Sequence, residues 1–399
     1  MHSENPLQAL LSPLGSAAIA TARQSMAEGR TTLQTISLLH QQYSPELARQ
    51  ALEQVILQRR AEVKFPELAE RLILFPDALE QASRQEVANH RARRLARSGV
   101  TRIVDAGAGI GADTFAFASH SLAVIAIEQD PHVDAALRAN VSSLGLDVDV
   151  RVGDLQQILP TIDPAITVYV DPARRADGRR IFDPQQCSPP LSYLQSLPNP
   201  VVAKMSPGIG YSDLPSAWEA EWVSTFTEQG RSVVEACLWS PDLHSAPRRA
   251  SIIGRTGSVS VSGIADNDLA VGPIGRYIYE PDGAINRAEL ITHIANPAQA
   301  TLIAPRIAYL TAHTAISTDL AARFDVLDVL PWSQRKLSAA VAAYEFSDIV
   351  VKKRGIDLDP ARLRKTLLSK KRNRAAEALI VIVCRRSHDS VAILARAAP

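Results

Sequence analysis

The chain has 399 residues, of which 46% are apolar and 21% charged, and its formal net charge is +1. That length exceeds what one compact core accommodates and implies about two to four domains, while the near-neutral balance excludes a uniformly basic coat for nucleic acid. Cys187, Cys237 and Cys384 lie far apart with no C-x-x-C pair and no histidine at zinc spacing, which excludes a disulfide framework and a structural metal site, and with no apolar run of about 18 residues and no signal-like start the expected compartment is the cytoplasm.

Residues 14–97 carry a helical pattern. Ser44-Pro45 reads as N-cap and first helical residue, followed by an apolar stripe of Leu47, Ala51 and Val55 with Ala48, Leu52 and Ile56. Ser83 and Glu86 form a capping-box pattern for a helix that ends near Ser98-Gly99, and Phe65-Pro66 and Phe75-Pro76 break the region into short pieces. The first 98 residues are thus expected to form a helical domain.

From residue 99 to 248 the texture changes. "TRIVDAG", "LAVIAIE", "DVDVRVG", "AITVYVDP" and "PVVAKMS" are near-continuous apolar strands, as expected where helices cover both faces of a sheet. "GADTFAFASH" and "PHVDAALRANVSSLG" are long enough to be crossover helices, so the expected fold is α/β with a parallel, doubly wound sheet that binds ligands at the carboxyl ends of its strands.

Beyond Arg249, "RRASIIGR", "GSVSVSG" and "IGRYIYEPDG" are closer together and alternating, as antiparallel strands are. "RAELITHIA" reads as a helix, and "RIAYLT" and "FDVLDVLPW" as strands. From Trp332 the order is helix "SQRKLSAAVAAY", strand "SDIVVKKRG", helix "DPARLRKTLL", then strands "ALIVIVCRR" and "SVAILAR". Residues 249–331 and 332–399 are expected to be two α+β segments.

Chemistry concentrates in "IVDAGAGIGADTFAFA", residues 103–118. Gly107, Gly109 and Gly111 stand where a strand must turn sharply into a helix, and their bare backbone lets a ligand approach the main chain. The helix start behind them favours a polar or anionic group. Gly107-x-Gly109-x-x-Ala112 also meets the relaxed dinucleotide pattern, so the loop alone leaves a nicotinamide cofactor open. The acids around it narrow the choice. Glu128 ends the second strand about 20 residues beyond Gly107, where an acid suits ribose hydroxyls. Asp154 follows Gly153 after the third strand and is placed to accept from an adenine amino group. Asp105, two residues before Gly107, suits a cationic or amino-bearing cofactor and repels pyrophosphate. Together these acids point to S-adenosylmethionine.

The fourth strand ends in "YVDPARR", where Asp171 and the stiffening Pro172 stand at the tip that an acceptor would meet. Enzymes that methylate exocyclic amines of bases carry a second proline and an aromatic here; this chain has Ala173 and Arg174. "DPAR" is closer to RNA uracil-5 methyltransferases, yet "AKMSPGIG" after the fifth strand lacks their cysteine nucleophile. Lys204 in that stretch orients an acceptor or phosphate, or is a solvated strand-end lysine. Cys187 reads as a buried cysteine more readily than as a reactive thiol.

With these motifs the chain resembles class I methyltransferases that carry a C-terminal THUMP-like domain. The resemblance also rests on "EQASRQEVANHRARRLA", "DPQQCSPPL", "VAKMSPGI", "YIYEPDGAINRAEL" and "VVKKRGIDLDPARLRKTL". It implies a Rossmann-like class I methyltransferase core behind an N-terminal helical domain, then a ferredoxin-like segment over 249–331 and a THUMP-like domain over 332–399. It implies S-adenosylmethionine contacts from Asp105, Gly107, Ala108, Gly109, Gly111, Glu128, Gln129, Asp154 and Leu155. Asp171, Pro172, Arg174 and Lys204 are implied at the reacting centre, and RNA as substrate.

Basic residues gather near the end of the chain. Between residues 352 and 374 Lys352, Lys353, Arg354, Arg362, Arg364, Lys365, Lys370, Lys371, Arg372 and Arg374 face only Asp357 and Asp359. Such a run follows a phosphate backbone or is a solvated face balancing acids elsewhere; the resemblance favours RNA. Arg91, Arg93, Arg94 and Arg97 line either a substrate cleft or a solvent-facing helix, while Arg174, Arg175, Arg179 and Arg180 stand beside the acceptor motif. At 5% aromatic content no base-stacking platform is evident. The expected protein is a methyltransferase of rRNA or tRNA. A small-molecule or protein methyltransferase, a catalytically silent RNA-binding factor that keeps the fold, and a nicotinamide oxidoreductase are the rivals.

Overall fold

In the computed structural model, which describes residues 6–173, 175–176, 179–180, 183–228, 230–255, 257–368, 373–386 and 389–398, the N-terminal hundred residues fold as helices. These are α1 (Pro6–Leu11), α2 (Pro13–Ala27), α3 (Thr32–Leu39), α4 (Pro45–Ala61), α5 (Pro76–Gln81) and α6 (Gln85–Arg97). Ser44 caps α4 as expected, its Oγ accepting from the Leu47 amide with Pro45 at the first helical position. Leu47, Ala48, Ala51, Leu52 and Val55 are buried, but Ile56 is 37% exposed, because it lies past the edge of that stripe. The Ser83–Glu86 capping box does not form. Helix α6 starts at Gln85 with Arg84 as its uncapped N-cap, and Ser83 turns its hydroxyl to a buried carboxylate instead.

Between α4 and α5 the extended residues 72–74 are held by amide side chains. Gln54 is bonded reciprocally to Leu74, giving its Nε2 to the carbonyl (2.8 Å) and accepting the amide N–H (2.9 Å), and Gln58 donates to the Leu72 carbonyl (2.9 Å). From the far side Asn140, fully buried, accepts the Ile73 N–H and donates to the carbonyls of Ile73 and Ile110.

The compact units divide the chain as Met1–Trp218 with Cys237–His244, and Glu219–Ala236 with Ser245–Pro399. In the first unit β1 (Arg102–Ala106), β2 (Ala123–Glu128), β3 (Val148–Val152) and β4 (Thr167–Val170) are followed by a short hairpin of β5 (Arg175–Ala176) and β6 (Arg179–Arg180), then β7 (Val201–Met205). The strands run parallel in the order β7–β4–β1–β2–β3, with residues 237–239 of β9 (Gly230–Trp239) beyond β7. Crossovers are made by α7 (Ala112–Ser119), α8 (Pro131–Leu144), α9 (Leu155–Ile158) and α10 (Leu191–Ser196). Chain order reverses between β1 and β4, so the glycine loop after β1 and Asp171 after β4 open at the same switch point.

Both faces of this sheet are covered by apolar side chains of the helical region. Leu57, Phe65, Leu72 and Leu74 pack with Ile110, Phe115 and Leu137 in one cluster; Ala88, Ala92 and Leu95 pack with Ile103, Phe117, Tyr169 and Trp239 in another. Residues 57–95 therefore contribute to the core of this unit, while the apolar side chains from Leu7 to Val55 form a cluster of their own.

The second unit contains β8 (Glu219–Thr227), residues 230–236 of β9, β10 (Arg248–Ile253) and β11 (Ser258–Gly263) in the order β11–β10–β8–β9, with β10 parallel to β8 and antiparallel to β11. A second sheet, β13–β14–β12–β15–β18–β17–β16, joins β12 (Tyr277–Pro281), β13 (Thr301–Leu302), β14 (Leu310–Ala312), β15 (Ala321–Pro331), β16 (Ile349–Arg354), β17 (Leu379–Arg385) and β18 (Ser390–Ala397). The helices of this unit are α11 (Gly283–Ala288), which packs on β8 and β10, α12 (Thr292–Ala298), α13 (Gln334–Val341) and α14 (Pro360–Leu367). The single helix expected over 287–295 is two, parted at Glu289 in the left-handed conformation (φ +58°). Because β15 pairs with β18, residues 321–331 and the tail share one sheet.

All three cysteines are buried and unbridged. Among the described residues no helix is long and apolar enough to cross a membrane, and no group of three or more His, Cys, Asp or Glu is placed to hold a metal ion.

Replacing Gln54 with Leu strips two buried backbone groups of Leu74 of their partners, and the expected cost is about 3 kcal/mol. Urea denaturation read on the first unit should show a lowered midpoint; a midpoint equal to that of the wild type would mean these amides do not hold the 72–74 segment.

Candidate cofactor and active site

The loop after β1 is bare for two different reasons. At Gly111 (φ +101°) an added Cβ would lie 2.4 Å from the Phe115 ring, so this glycine serves the packing of α7. At Gly109 (φ +56°) an added Cβ would meet no protein atom within 4 Å, so the protein leaves this side of the loop open.

The loop amides are already committed. Gly107 and Ala108 N–H groups both donate to the Ile127 carbonyl (3.0 Å), Gly111 N–H donates to the Ala108 carbonyl, and Gly109 N–H donates to Glu128 Oε2 (2.9 Å). One of these loop amides is thus bonded to the chain's own carboxylate. Glu128 is nearly buried, and its Oε1 accepts the Asp130 N–H (2.9 Å), so both oxygens are fixed while each keeps a lone pair for a further donor.

Around this loop the other expected positions fall as follows. Gln129 is exposed just past β2; Asp154 is exposed, caps α9 with Oδ1 on the Gln156 N–H (2.7 Å), and is followed by Leu155, the first residue of that helix. Asp105 is not at the lip. It is 1% exposed, beneath the loop, with Oδ2 accepting from the Thr114 hydroxyl. Burial first, and the neighbouring Asp113 second, push its carboxyl up to about 7, against the lowering effect of Thr114 and Arg91.

At the tip of β4, Asp171 Oδ2 accepts from Lys204 Nζ at 2.6 Å, and Pro172 behind it is buried. Lys204 is no solvated strand-end lysine: it is 5% exposed, and its ammonium also donates to Ser83 Oγ (3.0 Å) and the Gln81 carbonyl (3.5 Å). Ser83 donates onward to Asp113 Oδ2 (2.7 Å), which also takes the Tyr169 hydroxyl (3.1 Å), while Arg91 holds Asp113 Oδ1 and lies 4.6 Å over the Tyr169 ring. The result is a line of hydrogen-bonded groups from the half-buried Asp171 through the buried Lys204, Ser83 and Asp113 to Arg91.

Beside this line Lys64 donates to the carbonyls of Leu79, Glu80 and Ala82 (2.7–2.8 Å), and its amine is lowered to about 8 by burial first, then by the cations of Lys204 and Arg84. Arg91 is thus a buried partner and neither cleft wall nor solvent-facing, and Arg94 stacks 3.6 Å from the Trp239 ring; Arg93 and Arg97 are exposed. Arg174 lies outside the described residues. Cys187 is buried with its thiol toward the Asp183 carbonyl.

Sequence reasoning missed Lys64, Asp113, Thr114 and Tyr169 as site-forming residues, and read Ser83 as a cap. The available signal was Asp113-Thr114 inside the otherwise apolar "ADTFAFA", two polar side chains on a helix whose both residues prove buried.

An adenosyl group bearing a positive sulfonium fits these residues. The carboxylates of Glu128 and Asp154 offer acceptors, Asp105 adds negative character under the loop when ionised, and the space at Gly109 is open. Comparison with known proteins decides the family. An uncharacterized S-adenosylmethionine-dependent methyltransferase of Mycobacterium tuberculosis, found alike in strains CDC 1551 / Oshkosh and ATCC 25618 / H37Rv, is 32% identical over 344 residues, 84% of this chain and 92% of its own. The chain belongs to the class I S-adenosylmethionine-dependent methyltransferases with a C-terminal THUMP-like domain.

A THUMP domain-like family model matches residues 321–397, and a domain of unknown function (DUF8688) matches residues 5–61. The crystal structure of a protein described as a methyltransferase of Porphyromonas gingivalis W83 shares the fold at a TM-score of 0.77 and 22% identity, covering 96% of this chain and 99% of that one. The 32% identical relative makes the chain an S-adenosylmethionine-dependent methyltransferase, and the solved structure adds the fold. The THUMP-like match includes β15, in keeping with the pairing of β15 and β18 in one sheet.

Asp105 gives a prediction with a definite sign. Its folded-state value lies above the ordinary carboxyl value of 3.8, so between about pH 4 and about pH 7 the folded chain holds a proton that the unfolded chain has lost, and stability falls as pH rises. Asp105→Asn removes that loss. Thermal unfolding should show the variant gaining on the wild type as pH rises through this window, and a difference independent of pH would sink the assignment.

Proposed function

We propose that this methyltransferase modifies RNA in the cytoplasm, rRNA or tRNA, using the loop after β1 for its cofactor and the tip of β4 for the acceptor. The observation that carries the cofactor site is Glu128, held by the Gly109 and Asp130 amides with its remaining lone pairs available. Glu128 would take the ribose hydroxyls, Asp154 and Leu155 the adenine edge, and Gln129 the rim, while Gly107, Ala108 and Gly109 let the cofactor lie against the main chain. Asp105 would act through its charge from beneath. When bound, S-adenosylmethionine supplies a methyl group made electrophilic by its sulfonium.

The chain's own part is positioning and proton handling. Lys204 fixes Asp171 through the 2.6 Å ion pair, and Ser83 and the Gln81 carbonyl take the other donors of that ammonium, so the carboxylate is set in one orientation at the strand tip. Asp171 is placed to accept a hydrogen bond or proton from the acceptor atom. Pro172 stiffens the turn that presents it.

RNA is supported by the THUMP-like match and by the cations that its fold leaves unneutralised. Lys352 and Arg354 are paired with Glu280 (2.6 and 3.6 Å) and Arg364 with Asp348 (2.7 Å), so part of the basic run is balanced by carboxylates of the chain. Lys353, Arg362 and Lys365 are exposed and make no ion pair among the described residues; Lys370 and Lys371 lie outside them. On α14, Leu363 and Leu367 face the core, which turns Arg362 and Lys365 outward.

Three measurements test this reading. Calorimetry with S-adenosylhomocysteine should show Glu128→Gln binding about tenfold more weakly, since a charge-assisted acceptor is lost; unchanged affinity would remove the cofactor from this site. Methyl incorporation into cellular RNA, read by mass spectrometry of its nucleosides, should vanish in Asp171→Asn. The triple variant Lys353→Glu, Arg362→Glu, Lys365→Glu should weaken RNA binding and flatten its salt dependence by about two units of log slope. Turnover on a small molecule or protein with no RNA product would overturn the substrate.

A further inference from the structure

In the second unit, the β8–β9 and β10–β11 turns lie side by side. Thr227 Oγ1 closes the first turn on the Gly230 carbonyl (2.7 Å), the Gly254 amide closes the second on the Gly257 carbonyl (2.7 Å), and the parallel register that sets Ile252 opposite Ser224 brings both to the same end of the sheet. Between them stands Phe226, 40% exposed at the end of β8. The Arg231 guanidinium lies 4.9 Å from its ring centre and that of Arg255 5.6 Å, and both arginines are exposed.

The same sheet repeats this pattern deeper in, where Arg248 and Arg287 lie 5.6 and 5.7 Å from the ring of the fully buried Trp222. There the aromatic is core; at the turns its counterpart is offered to solvent. The acids nearby are Glu228, exposed in the first turn, and the almost wholly buried Asp282, whose Oδ1 caps α11 while its Oδ2 forms a 3.8 Å ion pair with Arg231 Nε, which leaves the outer guanidinium N–H groups of Arg231 for a phosphate.

An exposed ring with two guanidinium groups drawn to it answers the two chemical parts of a single-stranded nucleic acid. The ring takes a base face, and the guanidinium groups take phosphates. An acidic peptide would satisfy the arginines and leave the ring unused. We infer that Phe226, Arg231 and Arg255 form a base-stacking contact for single-stranded RNA at the paired turns of the β8–β11 sheet. This rests on the RNA reading above and adds to it a contact that reads the strand by its bases, where Lys353, Arg362 and Lys365 meet only its charge.

The test uses the full chain and fluorescence anisotropy with two labelled probes of equal length, an oligouridine strand and an abasic ribose–phosphate strand. Phe226→Ala should bind oligouridine about tenfold more weakly than the wild type while binding the abasic strand equally well. Phe226→Trp should restore oligouridine binding, which a loss of folding would not allow. Arg231→Gln with Arg255→Gln should weaken both probes and lower the salt slope by about 1.4. Wild-type binding of oligouridine that Phe226→Ala leaves unchanged would overturn this contact and spare the RNA reading. Wild-type binding of neither probe would overturn both. Displacement of oligouridine by polyglutamate with no dependence on Phe226 would make the turns a mere anion site and overturn the stacking contact as well.

Discussion

The first unit depends on how one carboxylate is used. Glu128 ends β2 and accepts amides from the glycine loop and from the residue two places beyond itself, so the bare turn after β1 is tied to the neighbouring strand tip by charge-assisted hydrogen bonds. The same contacts decide what the site favours. A glycine loop at a helix start ordinarily offers amides to an anion; here an internal anion has taken one of them, and the strand carbonyl of Ile127 has taken two more. What is left is open space beside Gly109 with acceptors around it, which suits hydroxyls, an amino group and positive charge.

Behind that surface the helical region supplies structure to the site. Ser83 and Gln81 complete the ammonium of Lys204, and Arg91 balances Asp113. Buried ion pairs are costly to assemble and contribute little net stability unless every donor and acceptor is satisfied. Lys204 meets that condition with three partners from two parts of the chain, Gln81 and Ser83 before β1 and Asp171 after β4. Such an arrangement is better understood as holding Asp171 in place than as stabilising the fold. The Asn140 bridge from Ile73 to Ile110 does for the glycine loop what Lys204 does for Asp171, so both halves of the switch point are braced by residues 64–91.

In the second unit the charge of the basic tail is divided. Glu280 and Asp348 pair with Lys352, Arg354 and Arg364, while Arg362 and Lys365 on α14 keep their charge without such a partner among the described residues. Counting charges along the chain therefore overstates the surface available to a phosphate backbone. The β8–β9 pair had no place in the strand pattern read from the sequence: "EAEWVSTFT" sets Glu219 and Glu221 among apolar residues, and both carboxylates are buried, Glu219 with Arg249 and Glu221 with Ser251. Polar side chains at core positions hide a strand from any reading based on apolar alternation.

The parallel α/β core, the glycine turn, the cap of α4 and the acids at successive strand ends were legible along the chain, because each is written in local terms: periodicity, backbone freedom, and a residue type at a fixed step from a strand end. Tertiary structure alone decided that Asp105 lies beneath the loop, that Ser83 serves Lys204 and Asp113 and caps no helix, and that Arg91 is buried. Those outcomes turn on which distant group reaches a buried polar atom first. Desolvation makes an unpartnered charge so costly that long-range pairing overrides local preference, and no spacing rule along the chain carries that information.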